Sequence, residues 1–303
     1  MSLKKLVLLI ICLFLTTTII GCQSSDDEII IIDGQYSESR IIHQMVKLLV
    51  EEHTDAKITI KDEMTPVNSY NETVKGNADI MNSYDGTLLT TFLKLDPSDV
   101  PEDENIYDFS NRIAVEQDSV YLLDKLGINN TYAIAVPQNL SEQYNLLTIT
   151  DLKEVDDQLI FGAEHEFFDE EGTMKFNPFT SFYGLEFKES RSVDLGLKYS
   201  AIESNNIDIT VVYSTDGLNK KAQLTILEDD QDFFPEYNGA LLVREDLFDR
   251  YSQTAPNLKE TLNLMGNIFD NDTMVELTYA VDVDGESPIS VAKEFLQSKG
   301  LIE

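Results

Sequence analysis

The sequence predicts an α/β protein of two lobes, each a mostly parallel sheet flanked by helices. Three observations carry this expectation. Apolar β-branched runs alternate with stretches of helical periodicity, the pattern of strand–helix–strand units. The chain has 303 residues, too many for one small core, yet it holds no long Gly/Ser linker and no internal repeat. Two lobes joined by short crossings follow. Tyrosines also recur just past the strand-like runs, where open α/β sheets bind ligands.

The chain opens Met1-Ser-Leu-Lys4-Lys5, runs apolar through residues 6–20 and ends that run in Gly21-Cys22. A charged start, a short apolar core and a small residue at the cut describe a secretory leader, too short for a comfortable membrane span. Ile19-Ile20-Gly21-Cys22 resembles the lipobox of bacterial lipoproteins. That resemblance implies a signal peptide over residues 1–21, lipidation of Cys22, a tether over residues 22–28 and a protein held outside the cytoplasm on the membrane. Cys12 leaves with the leader, so no disulfide is possible. Removing Lys4 and Lys5 as well leaves 20 basic residues against 55 acidic ones, a balance of −35. Such a field repels phosphates and argues against a nucleic-acid partner.

The first lobe is expected over residues 29–129. Ile29-Ile-Ile-Ile32 reads as a buried parallel strand. Asp33-Gly34-Gln35-Tyr36 is a turn, and Ser37 starts a helix with Ile41, Ile42, Met45, Val46, Leu48 and Leu49 at helical spacing. A strand over 57–61, a helix over 69–76, a strand over 78–81 and a helix over 87–95 follow, and residues 113–126 read as another helix. The second lobe is expected over residues 130–230. Its strands are placed at 132–136, 147–152, 159–163, 184–188, 207–212 and 224–227, with a helix over 193–203. The chain then returns to the first lobe over residues 231–303, with a strand at 240–243 and helices at 257–265, 272–280 and 288–299. The last begins with the capping pair Ser287-Pro288.

No Gly-x-Ser-x-Gly elbow, no Gly-x-x-x-x-Gly-Lys loop and no Gly-x-Gly-x-x-Gly turn occurs, so neither an enzyme nor a cofactor is indicated. Glu164-His165-Glu166 offers three metal-ligand types, but adjacent side chains do not converge, and no metal is expected. What remains is Tyr84, Tyr132, Tyr213 and Tyr237, each beside Asn, Ser, Gly or Thr at a strand end. Four ring faces meeting in a cleft suit a cation without hydrogen-bond donors, a quaternary ammonium. At roughly 0.5–2 kcal/mol per ring the four would give roughly 2–8 kcal/mol, so lobe closure and methyl burial must add to reach micromolar affinity.

Several segments resemble the substrate-binding lipoproteins of ABC importers for glycine betaine, carnitine and choline. They are Gln35-Tyr-Ser-Glu-Ser, Tyr84-Asp-Gly-Thr87, Asn129-Asn-Thr-Tyr132-Ala, Tyr213-Ser-Thr-Asp-Gly217, Leu227-Glu-Asp-Asp230 with Phe233-Phe-Pro-Glu-Tyr237, and Tyr279-Ala-Val-Asp-Val. The resemblance implies a two-lobed, type II periplasmic-binding-protein fold and a monomer that delivers its ligand to a permease. It also implies a tyrosine cage of Tyr84, Tyr132, Tyr213 and Tyr237, with Gln35 and Thr87 as polar neighbours. This chain departs from the family at Asp85, at Glu236, and in the loop Glu166-Phe-Phe-Asp-Glu-Glu171, where some relatives place an arginine for a betaine carboxylate. A carboxylate would fall to Thr87, Gln35 or backbone N–H groups, which tilts the expectation towards choline or broad specificity. The alternatives are a receptor of the same fold for a polyamine, and a surface lipoprotein without a transport role.

Overall fold

A computed structural model describes residues 28–169, 173–194 and 197–303. The leader, the tether and Cys22 lie outside the described residues.

The first lobe begins with β1 (Glu28–Ile32), α1 (Ser37–His53), β2 (Lys57–Lys61), α2 (Pro66–Val74) and β3 (Ile80–Tyr84). β1 lies parallel to both β2 and β3. Its Ile29 and Ile31 are fully buried against Ile41, Ile42, Met45 and Leu49 of α1, the face that 3.6-residue periodicity brings together. α2 starts with Pro66, and the Thr65 hydroxyl caps it by accepting from Asn68 N. Two later strands, β4 (Val120–Asn129) and β10 (Asn238–Arg244), complete a sheet of order β2-β1-β3-β10-β4.

The second sheet holds β5 (Tyr132–Pro137), β6 (Ile160–Ala163), β7 (Glu189–Ser192), β8 (Ile209–Tyr213) and β9 (Leu224–Ile226), in the order β7-β6-β8-β5-β9. β6 is parallel to β7 and β8, while β5 is antiparallel to β8 and β9. Both sheets are therefore mixed. In each, the strand that brings the chain in from the other sheet runs antiparallel to both neighbours: β10 in the first, β5 in the second. The parallel strands end at the cleft, so a strand entering from the cleft must run the other way. The site inherits this rule. Two of the candidate tyrosines end parallel strands, and two stand where the arriving strands begin.

α3 (Ile106–Asp118) ends earlier than the sequence suggests, because Ser119 takes a left-handed conformation (φ 52°). Residues 120–129 are then β4, not the end of a helix. Asn111 of α3 lashes this edge strand, accepting from Leu122 N at 2.6 Å and donating to Leu122 O at 3.1 Å. Residues 147–152 form a turn entering a 3₁₀ segment rather than a strand. The expected strand at 184–188 is displaced to the polar edge strand β7, which carries no apolar run to announce it. α4 (Gln138–Tyr144), α5 (Phe176–Tyr183), α6 (Lys198–Glu203) and α7 (Gly217–Lys221) surround the second sheet. α8 (Leu258–Asn263), α9 (Asn271–Asp282) and α10 (Pro288–Ser298) close the first lobe, and Ser287 caps α10 by accepting from Ser290 N.

Candidate functional site

The two crossings between the sheets run side by side and are stitched together. Asn130 N donates to Tyr237 O at 2.9 Å, Tyr237 N to Asn129 Oδ1 at 2.7 Å, and Thr131 Oγ1 to Pro235 O at 2.8 Å. Asn271, at the start of α9, holds Asn129 from the first lobe: it accepts from Asn129 N at 2.8 Å and donates to Asn129 O at 3.0 Å. Ser214 Oγ donates to the same carbonyl at 2.7 Å. The turn after β8 also docks on α9. A Cβ on Gly217 would stand 2.4 Å from Tyr279 N, so only glycine lets the turn approach the helix this closely. Thr278 Oγ1 donates to Thr215 O at 3.0 Å across the same contact.

The four tyrosines surround this knot. Tyr132 and Tyr213 are cross-strand partners, and their rings stack at 5.2 Å between centroids with 25° between planes. Tyr132 also meets Phe167 and Phe234 edge-on, at 5.9 and 6.3 Å. Tyr84 ends β3 opposite Gly239 of β10, and its hydroxyl receives Asn130 Nδ2 at 3.5 Å from the crossing. Tyr237 lies on Gly86: a Cβ there would meet its ring carbons at 2.5 Å. Desolvation is the first cause that pushes all four phenols above their ordinary value, so all four are neutral, electron-rich rings at physiological pH. Tyr84, Tyr132 and Tyr237 are half-buried, and Tyr213 is 38% exposed. Thr87 is half-buried in the turn after Tyr84, whereas Gln35 is exposed in the loop before α1.

Asp85 is resolved by its bonds. It is buried and accepts from Gly86 N at 2.7 Å, Asn238 N at 2.9 Å and Asn238 Nδ2 at 2.8 Å. Its carboxylate fastens the start of β10 to the turn below Tyr84. Burial pushes its carboxyl up, and these bonds oppose the shift. Glu236 is a surface residue beside Lys125. Glu164, His165 and Glu166 diverge: Glu164 is buried against Lys198, while His165 and Glu166 are exposed.

Glu38, in the first turn of α1, joins the candidate site, and no local pattern in the sequence singles it out. It is 4% exposed. Tyr84 OH donates to Oε1, and Thr215 Oγ1 donates to Oε2 at 2.6 Å. One carboxylate thus fixes a ring of the first lobe and a hydroxyl from the turn after β8 of the second. Burial raises its carboxyl above the ordinary value, opposed by the Thr215 and Tyr84 hydroxyls. The stretch Gln35-Tyr-Ser-Glu-Ser gives only a hint of it, an acid in the first turn of an otherwise apolar-faced helix.

The architecture of two mixed sheets with a cleft at their crossings is that of a two-lobed solute-binding protein. A solved structure of a glycine betaine/carnitine/choline ABC transporter matches it with TM-score 0.81 and 28% identity, over 91% of this chain and 99% of that one. YehZ from Escherichia coli, in apo form, shares the fold with TM-score 0.74. Residues 27–298 match the family described as the substrate binding domain of ABC-type glycine betaine transport systems, and the chain belongs to that family. A carnitine transport binding protein, OpuCC of Listeria monocytogenes, is 29% identical over 99% of this chain and 98% of its own. The ergothioneine transport permease/binding protein EgtU of Helicobacter pylori is 30% identical over 88% of this chain, which spans 46% of that longer protein. The family consists of extracytoplasmic solute-binding components of ABC transporters. Among the described residues, no helix is long and apolar enough to cross a membrane.

Proposed function

We propose that the protein captures small quaternary ammonium solutes such as choline, glycine betaine and carnitine in a cage of Tyr84, Tyr132, Tyr213 and Tyr237, and hands them to a membrane permease without catalysing a reaction. The observation that supports this reading is that the stitched crossings adjoin all four tyrosines: Tyr237 lies in one, Tyr132 follows the other and stacks on Tyr213, and the Tyr84 hydroxyl receives Asn130. Cation–π attraction binds a cation that has no N–H to donate, and drawing the lobes together around it buries its methyl groups. Three carboxylates near the rings are already occupied by donors, which disfavours a primary amine at those positions. Glu38 holds two hydroxyls, Asp85 holds three N–H groups, and Asp216 caps α7 and accepts from Tyr199 OH, so a polyamine would compete with bonds already made.

The anchoring expected at Cys22 completes this reading: a monomeric receptor tethered outside the cytoplasmic membrane beside its permease. Isothermal titration with choline, glycine betaine, carnitine and spermidine tests the ligand class. Binding of at least one of the first three, without competition by spermidine, is expected. Binding of spermidine alone overturns the cage. Gly86→Ala, which drives a methyl into the Tyr237 ring and displaces it, should weaken binding about tenfold.

A further inference from the structure

Lys198 and Glu164 form a buried pair in the wall of the second lobe. Their side chains are 2% and 8% exposed, and Nζ stands 3.7 Å from Glu164 Oε2, beyond hydrogen-bond reach. Nζ donates to Val211 O at 3.1 Å, spending one of its three N–H bonds. Glu164 Oε2 is buried and accepts no hydrogen bond. Burying two charges costs several kcal/mol per ion unless geometry and hydrogen bonding are good, and here neither is complete. The place is telling. Glu164 follows the last residue of β6, and Val211 lies two residues before the end of β8, so the pair sits at the carboxyl ends of neighbouring parallel strands, where open α/β sheets bind ligands. Nζ also lies over the ring of Tyr213, 5.7 Å from its centroid, on the same ring that stacks with Tyr132.

We propose that Lys198 meets the carboxylate of a zwitterionic quaternary ammonium ligand, and that Glu164 is a positioning residue that holds the ammonium at the cage wall. With the trimethylammonium against the tyrosines, a carboxylate a few bonds away reaches the unspent N–H groups beside Tyr213. The pair then favours betaine-like and carnitine-like zwitterions over choline, against the tilt that the missing arginine suggests. This inference rests on the quaternary ammonium reading above.

The test is titration of choline, glycine betaine and carnitine into the full chain and into three variants: Lys198→Met, Glu164→Gln, and the double variant. The double variant leaves no lone buried charge, which keeps the test open if Lys198→Met folds poorly. Lys198→Met and the double variant should lower the zwitterion-to-choline affinity ratio at least about tenfold, the loss of one charge-assisted hydrogen bond. Glu164→Gln should lower the ratio less. A double variant that binds all three solutes as the wild type does, or loses all three equally, overturns the role of Lys198 while leaving the cage standing. A wild-type protein that binds none of the three overturns the cage reading and this inference with it.

Discussion

The two lobes hold their halves of the proposed cage by different means. In the first, the core is aliphatic, built on Ile29, Ile31, Ile41, Ile42, Met45 and their neighbours, and Tyr84 is fixed by hydrogen bonds to Glu38, Asn82 and Asn130. In the second, the core is largely aromatic. Phe161 touches Phe167, Phe168, Phe176, Phe179 and Phe187 with centroids 5.0–6.2 Å apart, and Tyr132 and Tyr213 extend that cluster into the cleft. One wall is oriented mainly by directional polar contacts, the other mainly by the packing of flat rings, with a phenol–phenol hydrogen bond between Tyr132 and Tyr213. Removing a hydroxyl and removing a ring should therefore have opposite importance on the two sides.

The largest expected effect is on the packed side. Phe161→Ala empties the centre of the aromatic cluster and should cost about 3–5 kcal/mol of stability, read by denaturant unfolding. A loss under about 1 kcal/mol would mean that the second lobe is not held together by these rings. Next comes the cage itself. Tyr213→Ala should weaken quaternary ammonium binding by tenfold or more in calorimetry, about 1.4 kcal/mol or above, whereas Tyr213→Phe should change it little. Equal losses in both variants would break the contrast.

On the polar side, Tyr84→Phe keeps the ring but leaves Glu38 Oε1 buried without its donor. It should cost about 1–3 kcal/mol in stability, more than Tyr213→Phe, as thermal melts can show. The smallest effect is a pH dependence. Burial raises the Glu38 carboxyl above its ordinary 4.5, so the folded chain keeps this proton at pH values where the unfolded chain has lost it. Its contribution to stability is full below 4.5 and is lost as pH rises through the raised folded value. Glu38→Gln mimics the protonated form, so it should gain on wild type as pH increases across that window. Parallel stability curves for the two proteins would remove Glu38 from the account.

Legibility in the sequence followed the range of the interactions. The β1 and α1 elements were readable because an unbroken isoleucine run and a 3.6-residue apolar face are local patterns. Residues 113–126 mislead because Ile113, Val115, Val120, Leu122, Leu123 and Leu126 fit either period, and only the left-handed Ser119 separates helix from strand. β7 was missed because an exposed edge strand need not be apolar. The tyrosines of the proposed cage were visible as residues bounded by turn formers. Glu38 was passed over because an acid in the first turn of a helix is ordinary there, and its partner Thr215 is 177 positions away.

The lobed α/β class and the candidate rings are legible in the chain alone, because they rest on composition, period and turn chemistry within a few residues. Contacts between distant segments set which strands arrive antiparallel, fasten Asp85 to Asn238 across 153 positions, and bring Lys198 and Glu164 into one buried wall. The reason is physical. A carboxylate's role depends on which donors the fold brings within 3 Å of it, and chain neighbours carry no record of groups more than a hundred residues away.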